Sequence, residues 1–214
     1  AGFAGLFQTP LAATFFAIEV LVVGRLMVSY ILPSLIAALT ANFVSHSLGL
    51  EKFSHSIATS MALTPDIILK LLVLGLCFGL CGNLFAYLLA KAKLIASSRL
   101  LNPYKRIFTL GLLATFLLFI FHFGRYSGLG TNLIEASFTN KNLYDYDWLL
   151  KLCLTVITLA AGYQGGEVTP LFAIGASLGV IIAPILGLPV ILVAALGYTS
   201  VFGSATNTLL GPIL

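Results

Sequence analysis

Two carboxylates stand inside long apolar stretches of this sequence, Glu19 and Glu167. An acid amid apolar helix is costly, and its presence points to work in an ion or proton path. Glu167 sits in the run Gly162-Tyr163-Gln164-Gly165-Gly166-Glu167-Val168-Thr169-Pro170-Leu171. The glycines let the backbone turn sharply and expose its N–H groups. Pro170 suits the first turn of a helix, where its missing N–H costs nothing. Free N–H groups at the positive end of a helix dipole make an anion site. A second break, Gln8-Thr9-Pro10-Leu11, opens another apolar run, with Thr9 and Pro10 as the helix start and a helix expected as far as Val23. Glu19 lies within that helix and reads either as a proton carrier or as a structural acceptor capping a neighbouring helix. The glycine loop is no Walker A sequence, since no Gly-Lys-Ser/Thr follows, and no GxGxxG is present. His46, His55 and His122 show no metal-ligand spacing, no Ser/His constellation appears, and no cofactor is expected.

The elements that must hold these groups are membrane spans. The chain has 214 residues, 59% hydrophobic and 8% charged, with mean hydropathy +1.07. So few charges cannot cover a water-facing surface, since soluble domains run nearer a quarter charged. A soluble enzyme, a disordered chain and a nucleic-acid binder are excluded. The chain reads as one all-α, multi-pass transmembrane domain in contact with lipid. Spans are expected within 1–24, 26–50, 71–90 (continuing toward Arg99) and 107–124. Residues 51–66 read as a polar connection and 125–147 as a long loop. Trp148 to Ala161 is apolar but short. From Val168 to Leu214 no residue is charged, and Pro184, Gly187, Pro189 and Gly203 should divide the stretch into two or three helices, the first running to about Ala183.

Basic residues orient the spans. The segment 91–106 carries Lys91, Lys93, Arg99, Lys105 and Arg106 without an acid, so it should be cytoplasmic in a cell-membrane protein. The loop 125–147, with Arg125 and Lys141 against Glu135, Asp145 and Asp147, should face the other side. Lys70 and Arg125 are expected to snorkel, and Tyr144, Tyr146 and Trp148 to form an interfacial belt. Gly75 with Gly79 and Gly175 with Gly179 are spaced for close helix packing. An internal echo relates Phe3-Ala4-Gly5-Leu6-Phe7 to Tyr198-Thr199-Ser200-Val201-Phe202, each followed by a helix start (Pro10-Leu11, Thr208-Leu209), as in transporters built from repeats. Both termini read as the middle of a larger membrane domain.

Ala4-Gly5-Leu6-Phe7-Gln8-Thr9-Pro10-Leu11-Ala12, followed by Ala17-Ile18-Glu19, resembles the CLC chloride channel and transporter family, in which a Pro-Leu turn leads to a helix ending in an Ile-Glu pair. Gly165-Gly166-Glu167-Val168-Thr169-Pro170 looks like that family's Gly-x-Phe-x-Pro anion loop. The resemblance covers nearly the whole chain. It implies a homodimer whose subunits each hold a pore between inverted repeats of broken, tilted helices. Residues 1–99 would be the later helices of the first repeat and the start of the second, and 100–214 most of the second. The family's external gating Glu and pore Tyr would lie outside this sequence. Val168 stands where Phe is usual, and Glu167 and Thr169 replace apolar or small residues. These departures resemble the branch that exports fluoride in exchange for protons. The resemblance therefore implies an anion-binding set of Gly166, Glu167, Val168 and Thr169, with amides of Glu167 and Val168 facing the ion, and a proton path through Glu167, with Glu19 as the other candidate. Chloride/proton exchangers of the family often carry a second acid after the Ile-Glu pair; here that position is Val20.

Fluoride is small and strongly hydrated, so it needs strong donors in exchange for water. A Thr169 hydroxyl and amides at a dipole end supply them. A protonated Glu167 donates to the anion and an ionised one repels it, which couples proton to anion occupancy. The expected substrates are fluoride or chloride and protons. The competing readings are a chloride channel or chloride/proton exchanger of the same family, an intramembrane enzyme, and a non-transporting membrane subunit.

Overall fold

The computed structural model describes residues 1–22, 24–50, 62–139 and 142–214. The chain is 78% helical and has no strand among the described residues, as an all-α membrane protein requires. By contacts it divides into two compact units, Ala1–Ala58 with Thr206–Leu214, and Thr59–Ala205. His55 and most of the polar connection expected at 51–66 lie outside the described residues, as do Val23 and Lys141.

The first unit holds α1 (Gly2–Phe7), α2 (Pro10–Val20), a 3-10 turn (Val28–Tyr30), α3 (Ile31–Ser47) and α10 (Leu210–Ile213). The break at Gln8-Thr9-Pro10 is present: Gln8 takes a left-handed conformation (φ 51°) and Pro10 occupies the first helical position. Helix α2 ends at Val20, earlier than expected. Ala4, Ala13 and Ala38 form the small buried core where α1, α2 and α3 meet, and Ser45 Oγ donates to the Gly5 carbonyl at 2.7 Å.

The second unit holds α4 (Pro65–Arg99), α5 (Pro103–Ile120), a 3-10 turn (His122–Gly124), α6 (Thr131–Thr139), α7 (Asp147–Ala161), α8 (Val168–Leu186) and most of α9 (Val190–Thr206). Polar caps fix the starts of its two long outer helices. The Thr64 hydroxyl accepts from Ile67 N, and Asn102 Oδ1 accepts from Tyr104 N and Lys105 N, each with Pro at the next position. Pro65 and Asp66, expected in a connection, therefore begin α4, and Asp66 pairs with Lys70 at 2.9 Å.

Three expectations are corrected. The 125–147 stretch contains α6, whose Leu133, Ile134 and Ser137 share a buried face; a short amphipathic helix with polar flanks carries no membrane signal. Pro184 does not end α8, because it falls in the last turn, where few bonds remain to lose; the helix closes at Gly187 (φ 63°). Gly203 lies inside α9.

Four helical segments among the described residues are long and apolar enough to cross a membrane: Val28–Ser47, Pro65–Arg99, Pro103–Ile120 and Val168–Leu186. The first three expose large apolar side chains, among them Phe43, Leu76, Leu80, Phe108 and Phe116, and α8 is mostly buried in the protein. Gly175 and Gly179 do mediate close packing. A Cβ at Gly175 would collide with the Gly197 carbonyl, and one at Gly179 with Val193 O. A Cβ added at Gly75 or Gly79 would meet nothing within 4 Å among the described residues. Gly82 is the close-packing glycine of α4, set against Val201 and Ser204.

Candidate functional site

Helix α7 ends at Gly162 (φ 103°), and the chain crosses to α8 through Tyr163, Gln164, Gly165 and Gly166 without regular structure. Glu167 is the N-cap of α8, and Val168, Thr169 and Pro170 form its first turn. The Glu167 side chain caps nothing. Among the described residues, no backbone N–H from Tyr163 to Thr169 has a hydrogen-bond acceptor. Thr169 is 8% exposed, and its hydroxyl has no partner there either. A 19-residue helix thus directs its positive end and a row of unpaired donors at an open loop. The loop is held from one side by Tyr163, whose hydroxyl occupies the space a side chain at Gly111 of α5 would take.

Two cavities meet at this loop. One, of about 420 Å³, is lined by Lys93, Ser97, Arg106, Gln164, Gly165 and Glu167, among others. Lys93 Nζ stands 3.5 Å from Glu167 Oε1, both side chains about half exposed. Arg106 forms no ion pair among the described residues, and its Nε is buried without a partner. Two cations therefore face one carboxylate, and the cavity favours anions. The other cavity, of about 270 Å³, has Tyr163, Gly165, Gly166 and Pro170 in its lining, together with Lys151, Thr155 and Thr158 of α7.

Glu19 lies in the first unit. Its carboxylate accepts from the N–H groups of Leu209, Leu210 and Gly211 at 2.6 to 3.2 Å, capping α10. Thr9 and Pro10 open α2 in the same unit.

Sequence reading passed over the cluster at the start of α7. Asp147 is fully buried and accepts from Arg125 Nε and a terminal guanidinium nitrogen (3.2 and 2.6 Å), the Tyr126 hydroxyl (2.6 Å) and Tyr144 N (3.0 Å). Arg125 does not snorkel, because this carboxylate holds it. The hydrogen bond to Asp147 raises the Arg125 pKa against the opposing effect of burial. Burial first, then Asp147, pushes the Tyr126 phenol up, so it stays a donor. His122 stacks on Tyr144 at 4.6 Å and bonds the Tyr146 hydroxyl at 2.9 Å, so the tyrosines form a packed cluster with it. The signal for the cluster was an acid and a base, Asp147 and Lys151, one turn apart in an otherwise apolar segment.

Comparison with known proteins places this geometry in a family. Over 222 residues the chain is 39% identical to a chloride/fluoride channel protein of Pseudomonas syringae pv. tomato, matching all of this chain and 48% of that protein. Over 196 residues it is 29% identical to the voltage-gated ClC-type chloride channel ClcB of Escherichia coli O157:H7, matching 88% of this chain and 45% of ClcB. It superimposes on the crystal structure of a CLC-type fluoride/proton antiporter with TM-score 0.96 and 59% identity, covering 99% of this chain and 54% of that one. The chain thus spans about half the length of the relatives it matches. The voltage gated chloride channel model matches residues 1–214, and the chain belongs to that family.

Proposed function

We propose that the protein to which this chain belongs carries anions across a cell membrane, with fluoride exported in exchange for protons. The observation that carries this reading is the open N-terminus of α8, whose unpaired amides adjoin Glu167 and the unpartnered Thr169 hydroxyl. Gly166, Glu167, Val168 and Thr169 hold the anion in this reading. Dehydrating fluoride costs more than dehydrating chloride, and a hydroxyl with several amides offers the stronger field that compensates. Glu167 carries the proton: it is half-exposed to a cavity and bound only loosely by Lys93. Glu19 has its oxygens committed to three amides, which favours its capping role over a proton path. The 59% identity to a fluoride/proton antiporter supports fluoride over chloride. The segment 91–106 faces the cytoplasm, in keeping with its five basic residues, and the working protein is a homodimer, as the family resemblance implies. The domain reading stands with these: 1–99 as late first-repeat helices and the start of the second, 100–214 as most of the second.

The test is efflux from proteoliposomes holding the full-length protein, with fluoride and chloride side by side and external pH recorded. Fluoride efflux that drives proton uptake, lost or uncoupled in Glu167→Gln, is expected. Chloride preferred over fluoride, or no proton movement, would leave the chloride channel reading that the likeness to ClcB favours.

A further inference from the structure

Helices α4 and α5 are joined by a short connection, yet each packs chiefly on α7 and little on the other. An apolar groove of about 310 Å³ is left between them. Ala92, Ala96 and Arg99 of α4 line it at i, i+4 and i+7, which is one helix face. Leu110 and Leu113, one turn apart on α5, and Ile157 of α7 complete it. Ile95 and Leu113 in the lining are exposed, so the groove opens at the surface. Among the described residues Arg99 is the one charged member of this lining, and it forms no ion pair. Both α4 and α5 are long and apolar enough to cross a membrane. The turn between two spans needs water for its backbone groups, so Arg99, at the end of α4, stands at headgroup level. An arginine there lays its stem along apolar surface and lifts its guanidinium to the interface. Lys91, Lys93, Lys105 and Arg106 add positive charge to the same segment, which contains no acid.

We propose that this groove holds an acyl chain of an acidic phospholipid, with the lipid phosphate on Arg99. A hydrocarbon tail suits an apolar, open groove, whereas a polar ligand would find no partner along it. From Ala92 to Arg99, α4 rises about 10 Å, against ~15 Å for the hydrocarbon of one leaflet. The upper part of a chain therefore lies in the groove when its phosphate is at Arg99. A tail gains no hydrophobic energy by leaving the bilayer for an apolar groove, so charge decides which lipid stays. A guanidinium pairs with phosphate through two parallel bonds, and the neighbouring bases favour a headgroup with net negative charge over a zwitterionic one. The proposal is independent of which anion the protein carries.

The test uses the full-length protein purified in detergent, titrated with phosphatidylglycerol or phosphatidylcholine and followed by its melting temperature. Arg99→Gln removes the cation, and Ala92→Phe fills the groove. Lys91→Gln removes a base of the same segment that lies outside the groove lining and donates to the Tyr87 hydroxyl at 3.1 Å. Wild type should be stabilised by phosphatidylglycerol at concentrations at least about fivefold below those of phosphatidylcholine. R99Q and A92F should each need at least about fivefold more phosphatidylglycerol, the weight of ~1 kcal/mol for one basic residue near an acidic lipid surface. K91Q should stay within about twofold of wild type. An equal response to the two lipids, or an unchanged R99Q, overturns the proposal. So does a folded A92F that responds as wild type does, since the lipid would then lie elsewhere. K91Q weakened as much as R99Q also overturns it, because the attraction would then be diffuse. If A92F fails to fold, R99Q and the lipid comparison still decide. None of these outcomes bears on fluoride transport, whose failure would show in the liposome assay above.

Discussion

The N-termini of α8 and α10 present the same chemistry, backbone N–H groups at a helix start, in two different states. At α10 the Glu19 carboxylate of α2 fills the place, accepting from Leu209, Leu210 and Gly211. At α8 the equivalent donors have no acceptor among the described residues, and the cations Lys93 and Arg106 line the adjoining cavity. The same electrostatic need is met in one place by a tethered anion, which fixes the structure, and in the other is left for a mobile one. The surroundings differ accordingly. Gly211 is set tightly against Phe16, and Gly165 and Gly166 border open space.

Breaking the tether should have the largest effect on stability. Glu19→Ala strips a charged acceptor from three amides, and hydrogen bonds to charged groups are worth about 1.5–3 kcal/mol each. A loss of about 2–4 kcal/mol is expected, read as a lower melting temperature of the full-length protein in detergent. If the two helix starts are chemically alike, millimolar fluoride should recover part of that loss; no recovery would separate them. Gly211→Ala comes next. Its Cβ would sit 2.9 Å from Phe16 Cβ and 3.1 Å from Phe16 Cα, so a melting shift worth about 1–3 kcal/mol follows. Gly166→Ala, by contrast, meets nothing within 4 Å and should leave the melting temperature within the ~0.5 kcal/mol typical of surface changes.

At α8 the effects should appear in transport. Thr169→Val removes a donor of about 1.4 kcal/mol, so fluoride flux should fall about tenfold in the liposome assay while thermal stability holds. Equal flux would assign the work to the amides alone. Lys93→Gln should also change stability little. Its pair with Glu167 is long and half exposed, and such pairs contribute under ~1 kcal/mol. Melting should barely move, and an appreciable drop would mean the pair locks the loop as firmly as Glu19 locks α10.

Much of this molecule is legible in its sequence. The break at Gln8-Thr9-Pro10, the glycine loop and the helix after it follow from local rules: Pro suits a first turn, Gly turns the backbone, and apolar length fits a bilayer. What escaped was of two kinds. Helix α6 is short and polar-flanked, so hydropathy could not see it. Pro184 and Gly203 read as breaks along the chain, but close packing of α8 on α9 at Gly175 and Gly179 favours continuous helices.

The sequence by itself determined the class: 8% charge and mean hydropathy +1.07 require a lipid solvent, and Gly-Gly-Glu-Val-Thr-Pro after an apolar run requires an exposed helix start. Only the tertiary structure decided which charges meet. Glu19 and Leu210 are far apart in sequence, as are Lys93 and Glu167, and nothing in local spacing tells a capped acid from a poised one. Both acids look alike along the chain, because partner choice depends on which helices pack together. Among the described residues, packing joined Glu19 to amides, left the amides beside Glu167 without an acceptor, and buried Lys151 without an ion pair.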